Sequence, residues 1–146
     1  MRTIKQWFEY YQQMGIEVYP YNGNSIEDAI GLHAQIGSKG LRAICFYFGK
    51  EGIKSKRVLI SETLKLLGLS DDYPWIIYIS YAVYIVVRTD DLDKMGNRGF
   101  NRGELLWHTK MVLPAINPNI KFYHKDIPLR EIVHVDNEVL FDCVKT

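Results

Sequence analysis

The side chains of this sequence best suited to metal-dependent chemistry are four carboxylates between residues 90 and 104. Asp90, Asp91 and Asp93 lie close together in a polar, glycine-containing stretch, and Glu104 follows them. Several carboxylate oxygens together can replace the water shell of a hard cation such as Mg²⁺. The same run is also typical of a solvated turn, and a loop holds the geometry of a metal site poorly. We favour the solvated turn for the three aspartates.

Cations next to an aromatic ring occur in the same stretch. Arg98, Phe100 and Arg102 form the sequence R-G-F-N-R, Arg88 precedes them at the end of an apolar run, and Lys110 follows. Basic side chains bind phosphates and aromatic rings stack on bases, so the mixture suits nucleic acid. It equally suits an ordinary solvated loop. Because the formal net charge is +1, the sequence predicts at most a local basic patch.

The spacing of histidine and cysteine indicates neither a zinc site nor a disulfide framework. The four histidines are His33, His108, His124 and His134. His108 and His124 could approach Glu104 on later strands, but we favour surface or hydrogen-bonded histidines. Cys45 and Cys143 are predicted to be buried thiols in a reducing, cytoplasmic environment.

The elements that must position these residues follow from apolar periodicity. Thr3 and Gln6 form a capping box before the first helix, which Gly15 ends. Ser25 and Ser55 are expected to cap two further helices. The predicted helices cover 4–14, 26–36, 56–67 and 138–144. The predicted strands cover 16–19, 41–48, 74–79, 81–88, 104–108, 111–113 and 120–123.

The longest apolar run, 73–88, is predicted to form two buried strands joined by a tight turn near Ser80. It is shorter than the ~18–20 apolar residues that a membrane span needs, and the N-terminus is amphipathic, so no membrane partner is expected. The order strand, helix, strand over 41–79 resembles a βαβ unit with parallel but not necessarily adjacent strands. Residues 89–103 are predicted to form a long mobile loop.

We therefore expect one domain over residues 1–146, of the α/β class in its looser α+β sense. A small mixed sheet would be flanked by helices. The hydrophobic content of 47% is sufficient for a real core.

Three local matches, in this order, resemble the archaeo-eukaryotic primase–polymerase superfamily, and most closely the bifunctional DNA primase/polymerase N-terminal domain. The first helix, Gly15 and the strand ending at Pro20 are similar to the opening of that family. The strand pair around Ser80 looks like the family's S-G-G-x-H-x-x-F-R element. Residues 103–107, followed by 112–114, resemble its acidic strand and the L-P-P-S segment after it.

The resemblance implies a two-metal nucleotidyl transferase, in which D-x-D and a third acid hold two Mg²⁺ and a histidine faces the triphosphate. Alignment places Phe46 and Phe48 at the D-x-D positions and Tyr84 at the histidine. Glu104 remains as a relic of the ligand set, and Arg88 as a retained cation. One carboxylate cannot hold two Mg²⁺, so the resemblance implies a reduced pseudoenzyme without a metal or other cofactor.

From these features we expect a catalytically inactive primase–polymerase-like domain that binds DNA or RNA, or a replication protein, for a phage or mobile element. The expected nucleic-acid contacts are Arg88, Arg98, Phe100, Arg102 and Lys110.

Two alternatives stay open. The chain could be a protein–protein interaction module for a helicase, nuclease or defence protein, with Phe46, Phe48 and Tyr84 filling the former active site. It could also be a residual nucleotidyl transferase that uses Mg²⁺ bound by Glu104 and one of the nearby aspartates. The sequence leaves the oligomeric state open.

Overall fold

The computed structural model describes residues 2–90, 96–100, 103–124 and 131–145. Within them lie helices α1 (Ile4–Gln13), α2 (Arg57–Leu66) and α3 (Asn137–Cys143). The strands are β1 (Val18–Tyr21), β2 (Gly31–Ile36), β3 (Leu41–Tyr47), β4 (Ile76–Tyr78), β5 (Ala82–Arg88), β6 (Arg98–Phe100), β7 (Gly103–Leu106), β8 (Thr109–Leu113) and β9 (Lys121–Phe122). The predicted class, in which helices accompany a small sheet, is confirmed.

The strands form two sheets. The smaller has the order β1-β2-β8, and the larger has the order β6-β7-β3-β5-β4-β9. Neighbouring strands run antiparallel in both. Because β7 belongs to the larger sheet and β8 to the smaller, residues 107–108 carry the chain from one sheet to the other. The two sheets therefore adjoin at this corner.

At the centre of the larger sheet, β5 lies between β3 and β4. Leu41 is opposite Arg88 and Tyr47 is opposite Ala82, while Ile76 is opposite Ile85. Since both neighbours are antiparallel to β5, β3 and β4 run in the same direction without touching, with α2 between them in the chain. The predicted parallel direction of these strands and the predicted two-strand run over 73–88 are both confirmed, and β5 separates the two parallel strands.

Helix α1 begins and ends where its capping signals predict. The hydroxyl of Thr3 accepts a hydrogen bond from the backbone N–H of Gln6 at 3.2 Å, and the Gln6 side chain accepts one from the Thr3 N–H at 2.8 Å. Gly15 follows the helix with a φ of 79°, a conformation that favours glycine. Strand β1 starts later than expected and includes Pro20, which an edge strand tolerates.

The helix predicted over 26–36 is wrong. Residues 31–36 form β2, whose side chains Leu32, Ala34 and Ile36 are buried in alternation. The strand is central to the smaller sheet, so its backbone hydrogen bonds go to β1 and β8. Ser25 instead belongs to a turn, where its hydroxyl donates to the Asp28 carboxylate at 3.1 Å. Pairing on both edges thus outweighs the local helical pattern.

Helix α2 differs from its prediction at its start and in its buried face. The Ser55 hydroxyl donates to the Gly52 carbonyl at 2.8 Å and does not cap the helix. The buried face contains Ile60 and Leu64, whereas Val58, expected inside, is 72% exposed. No helix in the described ranges is long and apolar enough to cross a membrane.

The stretch predicted as a loop over 89–103 contains a strand. Residues 98–100 form β6, which pairs with β7 through Arg98 opposite Leu105 and Phe100 opposite Gly103. Residues 91–95 and 101–102 lie outside the described residues, so the remainder of that prediction is untested. The strand places its residues on defined faces of the larger sheet.

Candidate functional site

A cleft of about 430 Å³ lies where the two sheets meet. Its walls come from β3, β5 and β7 of the larger sheet, from β1 and β8 of the smaller, and from the segments after β4 and β8. The polar and aromatic side chains that give it its character are Tyr21, Tyr47, Tyr81, Tyr84, Glu104 and Lys110. We call it the tyrosine cleft.

Two residues that line the tyrosine cleft, Tyr84 and Glu104, belong to a row of three side chains across the larger sheet. Cys45 on β3 lies opposite Tyr84 on β5 and opposite Glu104 on β7. Directly opposed residues of antiparallel strands point to the same face. Tyr47, two residues beyond Cys45, shares that face, and its hydroxyl donates to Oε1 of Glu104 at 3.3 Å. Tyr84 and Glu104 therefore point to the same face of the sheet, from the two strands on either side of Cys45.

The placement of Phe46 and Phe48 in this site is wrong. Successive side chains of a strand point to opposite faces, so Phe46 points away from the face of Cys45 and Tyr47. Its ring contacts Phe100 edge-on, with 6.5 Å between the ring centres. Phe48 follows the end of β3, and neither phenylalanine lines the cleft. A shift of one residue in register exchanges the whole set of side chains at a face.

The close approach of β7 to β3 depends on a glycine. A Cβ atom on Gly103 would lie 2.2 Å from the Cys45 carbonyl oxygen and 2.9 Å from the Phe46 ring. Real Cβ atoms do not approach backbone oxygen this closely, so a larger residue would push β7 away. Gly103 is therefore what allows Glu104 to sit beside Cys45.

Three side chains on this face of the larger sheet, Cys45, Tyr47 and Tyr84, are uncharged at neutral pH. Burial raises the pKa of the Cys45 thiol to about 12, against a smaller opposing effect of the hydrogen bond with Tyr47. Burial and the neighbouring Cys45 likewise raise the pKa of Tyr47 and of Tyr84. All three groups keep their protons at neutral pH. Cys45 is thus a poor nucleophile, since the thiolate is the reactive form.

Among the expected phosphate contacts that are described, Lys110 lines the tyrosine cleft. It lies on β8, and its ammonium is 5.1 Å from the centre of the Tyr19 ring. Such cation–π contacts hold an ammonium over a ring without neutralising it. Lys110 therefore places an ammonium group at the cleft, where an anionic group can approach it.

Arg88 does not belong to the tyrosine cleft. It lies at the far end of β5 from Tyr84, and its guanidinium donates to the Met14 carbonyl at 2.9 Å and to the Lys39 carbonyl at 3.3 Å. Burial lowers the pKa of this half-buried group. Arg88 joins β5 to the end of α1 and to the turn before β3. These contacts give Arg88 a structural role, and its expected role in contacting phosphate stays a prediction.

Arg98 and Phe100 lie on the other side of the larger sheet. They are opposite Leu105 and Gly103, so they share the face of Leu105 and not the face of Glu104. Phe100 is half-buried against Phe46, which removes it as a free stacking platform, whereas Arg98 is exposed. Arg102 lies outside the described residues. The expected set of contacts is therefore divided between two faces.

The remaining metal candidates do not converge on Glu104. Oδ1 of Asp90 lies 3.0 Å from Nε2 of His134, beyond the end of β5 that is remote from the cleft. His108 and His124 do not line the cleft. Within the described part of the chain, no group of three histidine, cysteine or acidic residues could hold a metal ion. Asp91 and Asp93 lie outside that part.

Tyr21, Tyr47 and Tyr81 are cleft residues that the sequence analysis did not single out. The sequence contains ten tyrosines, but their number does not indicate which of them lie together in the structure. Their positions depend on the pairing register, because Tyr47 and Tyr84 share a face only when Cys45 is opposite Tyr84. The turn at residues 79–81 sets the register between β4 and β5. It does not set the register between β5 and β3, which decides which side chains face the cleft.

Comparison of the chain with models of known protein families and with curated proteins finds no match. The primase–polymerase resemblance therefore stays a prediction that depends on the three local sequence matches.

Proposed function

We propose that this chain is a non-catalytic primase–polymerase-like domain that binds single-stranded DNA or RNA in the tyrosine cleft. The observation that carries the proposal is a set of tyrosine rings beside one lysine in a single cleft. Stacking of a base on an aromatic side chain contributes about 1–3 kcal/mol, and a nearby cation binds the phosphate. Tyr47 and Tyr81, each 54% exposed, are available for stacking.

The size of the tyrosine cleft favours single strands over duplexes. Its volume of about 430 Å³ falls within the roughly 300–1,000 Å³ typical of sites that enclose a small organic ligand. An unpaired base with its sugar is a ligand of this kind. A duplex keeps its bases stacked inside and presents only grooves and backbone, so it cannot fill such a cleft.

The residue types on the cleft wall support binding without catalysis. Two-metal phosphoryl transfer needs several carboxylates that hold ions roughly 4 Å apart. Glu104 is the one acid that lines the cleft in the described ranges, and its neighbours in the row are Cys45 and Tyr84. The phenols of Tyr47 and Tyr84, which line the cleft, keep their protons at neutral pH and offer hydrogen bonds in place of anionic ligands. The resemblance to primase–polymerases supports a role in replication of a phage or other mobile element.

The proposal is tested by titrating fluorescent oligonucleotides of about ten nucleotides against the protein. We expect single-stranded DNA or RNA to bind more tightly than the matching duplex, and primer extension with Mg²⁺ or Mn²⁺ to give no product. Tighter binding of the duplex would contradict the cleft as the binding site. A product that Glu104→Ala abolishes would contradict the absence of catalysis.

The second candidate function is binding of a replication or defence protein. Two exposed apolar side chains of α2 favour it, since Val58 is 72% and Leu66 is 52% exposed. They lie on a different element from the tyrosine cleft, so the two functions separate by mutation. If Val58→Ser and Leu66→Ser abolish co-purification of a partner while oligonucleotide binding persists, the chain has both surfaces.

A further inference from the structure

A carboxylate in a cleft that binds nucleic acid needs an explanation of its own. Phosphates are repelled by Glu104, so the sugar–phosphate backbone cannot be the group that approaches it. An ionised carboxylate has two acceptor oxygens and no donor. The group opposite Glu104 must therefore supply N–H or O–H donors, which a strand carries on the edges of its unpaired bases and, in RNA, on the 2′-hydroxyl.

We propose, on the basis of the proposed nucleic-acid function, that the tyrosine cleft takes one unpaired base and that Glu104 selects guanine. The Watson–Crick edge of guanine presents two adjacent donors, the ring N1–H and the 2-amino group, which match the two oxygens of one carboxylate. Adenine and cytosine each present one amino donor beside a ring-nitrogen acceptor. Thymine and uracil present one N–H between two carbonyl acceptors. In each of these four bases, an acceptor would face one of the carboxylate oxygens.

Glu104 is held in a position to read a base edge. Its carboxylate accepts the Tyr47 hydroxyl at 3.3 Å, and its strand is fixed beside Cys45 by pairing with β3. The residue is half-buried, so a base edge that binds it loses part of its contact with water. Hydrogen bonds to a charged group contribute more than those between neutral groups, which makes the match of donors to acceptors decisive. Tyr47 acts here as a positioning residue.

The tyrosine rings of the cleft do not stack on one another in the described part of the chain. Elsewhere in the described chain aromatic rings contact each other, as Trp7 and Tyr11 do at 5.5 Å between centres. Tyr47, Tyr81 and Tyr84 line the same cleft, yet no ring contact joins any two of them within the described residues. A base between the rings would gain stacking that the free protein lacks.

The test compares oligo(dT) strands that carry one central substitution: guanine, hypoxanthine, adenine or none. We expect the strand with guanine to bind about tenfold more tightly than the strand with adenine or thymine. Hypoxanthine lacks only the 2-amino group, so most of the gain should be lost with it. Glu104→Gln should abolish the preference, because an amide offers one acceptor and one donor. Glu62→Gln on the exposed face of α2 is the matched control and should keep the preference.

The outcomes separate this inference from the function on which it rests. Equal affinity for all four strands would overturn the guanine assignment and leave single-strand binding intact. A guanine preference that survives Glu104→Gln would overturn the role of Glu104. Failure of the folded protein to bind any strand would overturn both proposals.

Discussion

Tyr81 lies at the mouth of the tyrosine cleft, on the turn between β4 and β5, with about half of its side chain exposed. Its backbone carbonyl accepts from the N–H groups of Phe48 and Gly49, so the turn is fixed independently of the ring. The ring can therefore be removed without removing the turn. This separation makes Tyr81 the most direct probe of stacking.

We expect Tyr81→Ala to weaken binding of single-stranded nucleic acid by about tenfold, since one stacked base contributes about 1–3 kcal/mol. The free energy of unfolding should change by less than about 0.5 kcal/mol, as is usual for an exposed side chain. Fluorescence anisotropy and urea unfolding measure the two quantities. Tyr81→Phe keeps the ring and should bind as the wild type does. If Tyr81→Ala also binds as the wild type does, the ring does not contact the strand.

The buried Cys45 thiol makes the stability of the fold depend on pH in the alkaline range. Its pKa is raised by burial from 9.0 to about 12, so the folded protein holds a proton that the unfolded chain releases above pH 9. The unfolded state then binds fewer protons, and the free energy of unfolding falls as pH rises. The stabilisation is complete below pH 9 and is lost progressively towards pH 12.

We therefore expect urea unfolding of the wild type to shift to lower denaturant as pH is raised above about 9. Cys45→Ser has no titrating group there and should fall less steeply over the first part of this range. The buried Tyr73 and Tyr84, whose pKa values are also raised by burial, should still produce a later decrease in both proteins. Parallel curves for the two proteins would show that Cys45 is not the titrating group.

At the scale of elements, Arg88 holds together parts of the chain that are remote in sequence. Its guanidinium bridges the end of α1 and the turn before β3 while its backbone continues β5. Arginine suits this role because its donors are spread over a planar fork that can reach two carbonyls at once. The predicted role of this residue in phosphate binding and its observed role therefore lead to opposite experimental outcomes.

We expect Arg88→Ala to lower the free energy of unfolding by about 1–3 kcal/mol, because two carbonyls lose a charged donor. The affinity for single-stranded nucleic acid should stay within twofold of the wild type at temperatures where the variant is folded. The matched control is Arg98→Ala, which removes an exposed guanidinium on β6 and should leave stability unchanged. A loss of affinity without a loss of stability would restore the phosphate role of Arg88.

The approach of β7 to β3 gives a second prediction at this scale. Gly103→Ala places a Cβ atom 2.2 Å from the Cys45 carbonyl, so β7 must shift and Glu104 must leave its row. We expect a loss of about 1–3 kcal/mol of stability together with a loss of the guanine preference, measured by urea unfolding and by anisotropy. Gly99→Ala on β6 is the control, since a Cβ there meets nothing within 4 Å. Equal behaviour of the two variants would contradict the tight contact.

The elements that could be predicted from sequence are those whose signal is local. The capping box of α1, the apolar strand β3 and the pair β4 and β5 all carry their own pattern, and all are present. Strand β2 was missed because its central place in the smaller sheet depends on β1 and β8, which are far apart in the chain. The prediction of Phe46 at the position that Cys45 occupies in the structure is wrong for the same reason. Register is set by partners across the sheet, and a single strand does not contain it.

At the scale of the whole molecule, charge is the feature that distinguishes this cleft from a groove that follows a phosphate backbone. The formal net charge is +1, and Lys110 and Glu104 are the charged side chains that line the cleft among the described residues. Affinity that comes from neutralised phosphates decreases with salt, by a slope of about 0.7 per phosphate for single strands. A cleft that relies on stacking and on one lysine should therefore show weak salt dependence.

We expect affinity for single strands to fall only about threefold between roughly 50 mM and 200 mM salt, which corresponds to one neutralised phosphate. Lys110→Ala should remove most of that dependence and leave the stacking contribution. Lys65→Ala on the exposed face of α2 should retain it, because this lysine does not line the cleft. A strand bound along a basic groove through six or more phosphates would instead lose more than about a hundredfold. That result would move the binding surface from the tyrosine cleft to a surface with many cations.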